Sequence, residues 1–357
     1  MRPSLSRFLP AALSIFPAQP PSGPAVILSL LLGIALPAAA FPGIAAAEKP
    51  LRQLEQGTFN LVLENDIVSG LDQDYTNGIQ LSWTSGADDA PSWAVGAASW
   101  LPFFSSQGTV RVIYAIGQNI YTPSDIKLED PPAEDRPYAG WLYGSIGLTS
   151  ATETRLDQLN LQLGVVGPAS LARQTQTWVH GIIGADRPRG WDHQLNNEPG
   201  VVLTYQRSWR AFISGEIWGF SFDATPHLGG AAGNVFTYAN GGATLRFGWN
   251  LPDDYGPPRI EPSLPGSGYF EPQDDVGFYV FAGLDGRVVA RNIFLDGNTF
   301  EDSHNVQKNV LVGDAQVGIA FTIRAARLAY THVFRTPEFS GQNHADKFGA
   351  LSLSLRF

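Results

Sequence analysis

The 357-residue chain has no cysteine and one methionine, so no disulfide can staple it, a composition that suits an exported protein as well as a cytosolic one. After Glu48 no uninterrupted apolar run reaches about 18 residues, which excludes a membrane-spanning helix there. Basic residues are scarce: residues 48–357 carry 21 of them against 33 acidic ones, a formal charge of −12. That deficit argues against a nucleic-acid partner, because phosphate contacts need clustered Lys and Arg. There is also no G-x-S-x-G elbow and no Ser-His-Asp set legible from spacing, so a hydrolase built on this chain would use water as its nucleophile.

The first 47 residues hold no acidic residue and two basic ones, Arg2 and Arg7. An apolar run from Ala25 to Ala40 and the small residues Ala45-Ala46-Ala47 follow. A charged start, an apolar middle and an A-x-A-like end predict a secretory signal peptide over 1–47 and a mature domain over 48–357. With no helix available, a spanning structure must be a closed barrel, because lipid leaves free backbone N–H and C=O groups unsatisfied.

What the mature part has in quantity is aromatic residues, 18 Phe, 11 Tyr and 9 Trp, and segments of about ten residues that alternate apolar with polar. Leu159, Leu161, Leu163 and Val165 share one face, with Asn160 and Gln162 on the other. The chain ends Leu351-Ser-Leu-Ser-Leu-Arg-Phe357, alternating strictly and stopping on an aromatic. Period two with apolar residues outside is the pattern of an outer-membrane strand; a soluble sandwich also alternates but does not usually end this way. The aromatic terminus resembles the signal read by barrel-assembly machinery.

Twelve strands are predicted, near residues 58–65, 77–85, 110–120, 139–149, 154–165, 200–209, 211–223, 235–248, 276–290, 309–323, 326–335 and 347–357. The expected fold is all-β: a twelve-stranded antiparallel transmembrane barrel with a short helix in an extracellular loop. An even count returns both termini to the periplasm, so 66–76, 121–138, 166–199, 224–234, 291–308 and 336–346 become outside loops. Two periplasmic links, 86–109 and 249–275, are too long for turns, and the Pro/Gly-rich stretch 257–272 reads as a plug or strap.

Polar residues cluster on the outside loops. Asn65-Asp66 opens the first, which closes on Asp72, Asp74, Thr76 and Asn77-Gly78, a possible tight turn. The third carries a predicted helix, capped by Ser170 and ended by Gly184, with Gln176 and His180 on one face and Trp178, Ile182 and Ile183 packing it on the barrel rim. Histidine titrates near neutrality and suits a general base on water; a plainly hydrogen-bonded loop histidine fits the same spacing. Asp66 and Asp186 are oxygen donors of the kind Ca²⁺ takes, although Asp and Asn favour turns in any case.

The order of these blocks resembles the outer-membrane lipid A 3′-O-deacylase family. The matching pieces are Asn65-Asp66, Asp74-Tyr75-Thr76 with Gly78, Gln118 with Ile120 to Ser124, Asp135-Arg136, and Gly164 to Pro168. Gln176 with His180, Ile182 to Ala185, Gly233 to Phe236 and Phe334-Arg335-Thr336 continue the match. The resemblance implies a cell-outer-membrane esterase acting on lipid A or lipopolysaccharide among the outer-membrane lipids. It implies His180 as base on a water and Ca²⁺, held by Asp66 and Asp186, polarising the ester carbonyl, with Gln176, Asn65 and Thr76 in the catalytic set. Asp186 stands where a family member carries glutamate. The basic pair expected after the Thr-Pro-Ser block is Asp125-Ile-Lys127-Leu-Glu129-Asp130 here, so phosphate recognition falls to Arg136, Lys127, Arg187 or Arg189, or the substrate differs. A phospholipase and a non-enzymatic pore or structural barrel are the alternatives.

Overall fold

The computed structural model describes residues 57–66, 74–87, 89–105 and 107–357; the expected signal peptide lies outside them. Consecutive antiparallel hairpins run β1 (Gly57–Asn65), β2 (Asp74–Ser85), β3 (Thr109–Thr122), β4 (Ala139–Ala151), β5 (Arg155–Val166) and β6 (Glu198–Trp209). The second half is β7 (Ile213–Ile217), β8 (Phe220–Gly233), β9 (Phe236–Trp249), β10 (Val276–Asn292), β11 (Leu311–Ile323), β12 (Ala326–Arg335) and β13 (Asp346–Arg356). Pairing of β1 with β13 and of β6 with β8 closes the sheet. Short β7 pairs the same edge of β8 below β6, so the two are one interrupted strand and the barrel has twelve. Closure leaves no edge, the condition for strands in lipid. Among the described residues no helix is long and apolar enough to span a membrane.

One strand differs from expectation. The predicted seventh strand, 211–223, is in fact β7, a turn at Trp218-Gly219 with positive φ at both residues, and the start of β8. Alternation continues through this hairpin and hides the turn. The predicted outside loop 224–234 belongs to β8, with Pro226 paired to Ala243 and Gly229 to Asn240, so a Pro/Gly-rich run that reads as loop is strand. Only Asn234 and Val235 remain to connect β8 to β9.

Parity along each strand separates wall from lumen. Leu81, Ile116, Leu163, Leu203, Leu245, Val280, Val317 and Leu328 are exposed on the outer face, while Asn60, Ser82, Gln162, Thr204 and Gln316 are buried inside. Phe220, Phe247, Phe278 and Phe321 pack in a row near the periplasmic ends as an aromatic girdle.

The two long periplasmic links behave differently. The first contains an unforeseen helix, α1 (Ser92–Trp100), whose Ala94 and Ala98 are buried and whose Trp93, Val95 and Trp100 are exposed. The second enters the lumen as the expected strap. Arg259 binds Glu64 at 2.8 Å and Gln316 at 2.9 Å, Asn60 donates to the Gly268 carbonyl at 2.8 Å, and Arg335 donates to the Pro262 carbonyl at 3.0 Å. Buried Asp254 on this strap binds both Arg246 of β9 and Arg327 of β12. Beside the strap lies a cavity of about 90 Å³. At the outer end Tyr121, Trp141, Phe236, Phe294 and Phe348 form an apolar cluster, with Tyr121 stacked on Phe294 at 3.9 Å.

Candidate active site on the lipid-facing wall

Strand register places one row of outward-facing residues at the extracellular end: Asn65 of β1 opposite Asn77 of β2, Asn77 opposite Ile120 of β3, and Ile120 opposite Gly140 of β4. Asn77 is therefore part of strand β2 beside Asn65, not a tight turn. On β3 the outward set Tyr114 and Ile116 is exposed, but its continuation Gln118, Ile120 and Thr122 is buried. Something covers the wall there.

The cover comes from the third outside loop. A 3-10 turn, Pro168–Ser170, leads through Leu171, at φ 60, into α2 (Ala172–Ile183). Gln118 donates to the Ser170 carbonyl at 2.6 Å, and Ile120 packs with Ile126, Tyr138, Ala172 and Trp191. A side chain on Gly140 would meet Ser170 Oγ at 2.1 Å and Ala172 Cβ at 2.3 Å, so glycine is what lets the helix start seat on the wall. Ser170 does not cap the helix: its hydroxyl donates to the Gly167 carbonyl at 2.6 Å, and α2 has no side-chain cap. Gly184, at φ 73, ends it as expected, its N–H reaching the His180 carbonyl at 2.9 Å.

The faces of α2 are the reverse of the expected ones. Ala172, Gln176 and His180, spaced by four, are buried, whereas Trp178 is 68% and Ile182 48% exposed. The reason is the solvent: outside the barrel lies lipid, so the apolar face turns outward and the polar face is held against protein.

His180 Nδ1 stands 2.6 Å from the Asp186 backbone carbonyl oxygen. A carbonyl only accepts, so Nδ1 carries a proton, and it is Nε2 that can act as the base. One turn earlier, Gln176 Oε1 accepts from Trp191 Nε1 at 2.8 Å. That bond fixes the amide orientation, and the buried Gln176 Nε2 has no hydrogen-bond partner among the described residues. Trp191 is itself held against Tyr138, ring centroids 4.8 Å apart. No spacing rule in the sequence points to Trp191, whose role is set by a fold-back of 15 residues.

The remaining predicted groups are placed unequally. Asn65 is half-buried at the end of β1, and Asp66, the next residue, is 2% exposed. The Thr76 backbone lies in β2 at a register irregularity between Tyr75 and Asn77, and its side chain lies outside what is described. Asp186 is not brought to the others by its carboxylate, which is 62% exposed and pairs with Lys127 Nζ at 2.8 Å. That pairing raises the Lys127 pKa, through the hydrogen bond first and the charge second. Among the described residues no group of three His, Asp or Glu could hold a metal ion. As the side chains stand, the Asp66 and Asp186 donor pair does not fit Ca²⁺.

The proposed phosphate binders are also largely engaged. Arg136, 1% exposed, binds Glu338 at 2.9 Å, and neighbouring Asp135 accepts from the Ser124 backbone N–H and hydroxyl at 2.8 and 2.6 Å. These residues brace the second loop. Lys127 is committed to Asp186, and Arg189 lies 3.9 Å from Glu129.

Comparison with known proteins agrees with this architecture. The family model described as outer membrane protein LpxR matches residues 27–357. The solved structure of LpxR from Salmonella typhimurium is 22% identical, covers 84% of this chain and 100% of its own, and superposes with a TM-score of 0.69, a likeness of fold. The beta domain of the Bordetella autotransporter BrkA covers 85% of this chain and 99% of its own at 9% identity, with a TM-score of 0.39. No curated protein matches.

Proposed function

The chain belongs to the LpxR family of outer membrane proteins, and from that premise we propose that it is an esterase removing an ester-linked acyl chain from lipid A. The observation that carries this reading is the His180 ring, held by a carbonyl at Nδ1 on a stretch of outer wall where a helix shelters polar groups from lipid. A water beside Nε2 loses a proton to the ring as its oxygen attacks the ester carbonyl. The oxyanion accepts from the Gln176 amide, whose orientation Trp191 fixes, and Asn65 lies on the same side of the wall. Collapse breaks the ester bond, and the imidazolium returns its proton to the departing alkoxide. A fatty acid and a free hydroxyl leave.

The Ca²⁺ implied by the resemblance would act as a Lewis acid on the carbonyl. Its donor set is not assembled while Lys127 holds Asp186, and no step above is routed through it. The strap and the apolar cluster at the outer end speak against the pore alternative.

The test is the mass of lipid A extracted from cells with and without the protein. Loss of one acyl chain is expected; an unchanged spectrum together with lyso-phospholipid release would replace this reading with the phospholipase one.

A further inference from the structure

The polar row on the outer wall does not stop at Asn65. On the far side of β1, Asn65 pairs with Gly349 of β13, and Gly349 pairs with His332 of β12. Cross-strand partners share a face, so His332 also faces outward, two strand spacings or about 10 Å from Asn65. Outward-facing Lys347 lies on β13 two residues beyond Gly349, roughly 7 Å toward the extracellular rim, and pairs in register with Phe334.

These are unusual residues for that surface. The outward positions of β10 and β11 at the same end are Leu284, Val288, Leu311 and Ala315, and ionisable side chains facing lipid destabilise a barrel unless they sit near the interface. The histidine is held in place: the Tyr330 hydroxyl lies 3.4 Å from His332 Nδ1, and Phe334 packs edge-on at 4.6 Å between centroids. In the tautomer in which the Tyr330 hydroxyl donates to Nδ1, Nε2 carries the ring proton and is a hydrogen-bond donor even when the ring is neutral. Lys347 is exposed and makes no ion pair among the described residues. By contrast, the cations expected to take phosphate are engaged elsewhere in the case of Arg136 and Lys127.

We infer that Lys347 and His332 form an anion subsite on the lipid-facing wall that takes a phosphate on the headgroup of the outer-leaflet lipid whose ester lies under α2. The subsite continues the surface that lipid covers, and it sets a cation and a donor at the depth where headgroup meets acyl chain. It supplies the phosphate recognition that the acidic stretch Asp125 to Asp130 lacks. This deepens the esterase reading and depends on it only for which lipid is bound.

The experiment titrates the detergent-solubilised His180→Ala barrel with lipid A carrying its phosphates, and with the same lipid A after phosphatase treatment, so that bound lipid stays intact. Adding Lys347→Ala is expected to weaken binding of the phosphorylated form about fivefold and leave the dephosphorylated form unchanged. Lys347→Arg should restore the preference, and His332→Phe should lower it by a smaller factor. An equal loss for both lipids would mean a structural role, and an unchanged preference would mean a lysine merely seated at the interface; either overturns the subsite. Acyl release by the parent protein is measured separately. If it is absent while the phosphate preference still follows Lys347, the esterase reading fails and the subsite stands; the reverse pattern fails the subsite alone.

Discussion

The Nδ1 atom of His180 lies 2.6 Å from the carbonyl oxygen of Asp186, six residues further along the chain. The contact is made by backbone, not by the carboxylate, so the ring's tautomer is set by how Gly184 ends the helix and turns the chain back. The Asp186 side chain is left to pair with Lys127.

Replacing His180 by Gln keeps a side chain of similar reach but no basic nitrogen. Acyl release should fall at least about a hundredfold, while the barrel keeps its heat-modifiable migration in gels. Persistence of activity in the folded variant would remove His180 from the reaction.

Trp191→Phe keeps the packing against Tyr138 and deletes the bond to Gln176 Oε1. The amide is then free to rotate, and kcat should drop roughly tenfold, less than loss of a whole oxyanion donor. KM should hardly move, since the tryptophan orients Gln176 and does not bind lipid. Steady-state kinetics on purified lipid A separates the two parameters.

Asp254 is fully buried on the strap and neutralises two buried arginines, Arg246 and Arg327. Asp254→Ala leaves cations uncompensated, a change that destabilises by about 3–5 kcal/mol. Thermal unfolding in detergent should show a lower midpoint. Arg246 keeps Asp223, at 2.5 Å, so Arg327 is the more exposed to the loss.

The Arg136–Glu338 pair braces the second and sixth outside loops. Burial pushes the Glu338 carboxyl upward, but Arg335 and Arg136 outweigh it and hold its pKa below the ordinary value. A depressed folded pKa contributes stability that is present above the unfolded carboxylate value of about 4.3 and is lost as pH falls through the folded one. Acid should therefore loosen this brace, and Glu338→Gln should flatten that part of the pH dependence. Proteolysis of the loops across an acid series reads it directly.

Much of the wall was legible from residue order. The alternation of Leu159, Leu161, Leu163 and Val165 against Asn160 and Gln162 survives in β5, because a strand has only two faces and lipid tolerates one kind of residue. The exception is instructive: Pro226 and Gly229 to Gly230 read as loop, yet lie in β8. Composition there reports tight packing between strands, not a turn.

The candidate site was legible in part. Gln176 and His180 share a helical face by spacing alone, but apolar Trp178 and Ile182 point to the opposite face as the buried one, and they are exposed. Spacing carries no information on whether water or lipid lies outside.

The linear chain by itself determined a closed barrel, its orientation and the extracellular end to which Asn65 and His180 belong, since period, strand count and the lack of a spanning helix are local or countable properties. Only the folded molecule decided that α2 lies on the outer wall, that a carbonyl and not a carboxylate meets the imidazole, and that Asn65, Gly349 and His332 fall on one row. Each of these depends on register between strands distant in sequence, and register is fixed by closure of the whole cylinder.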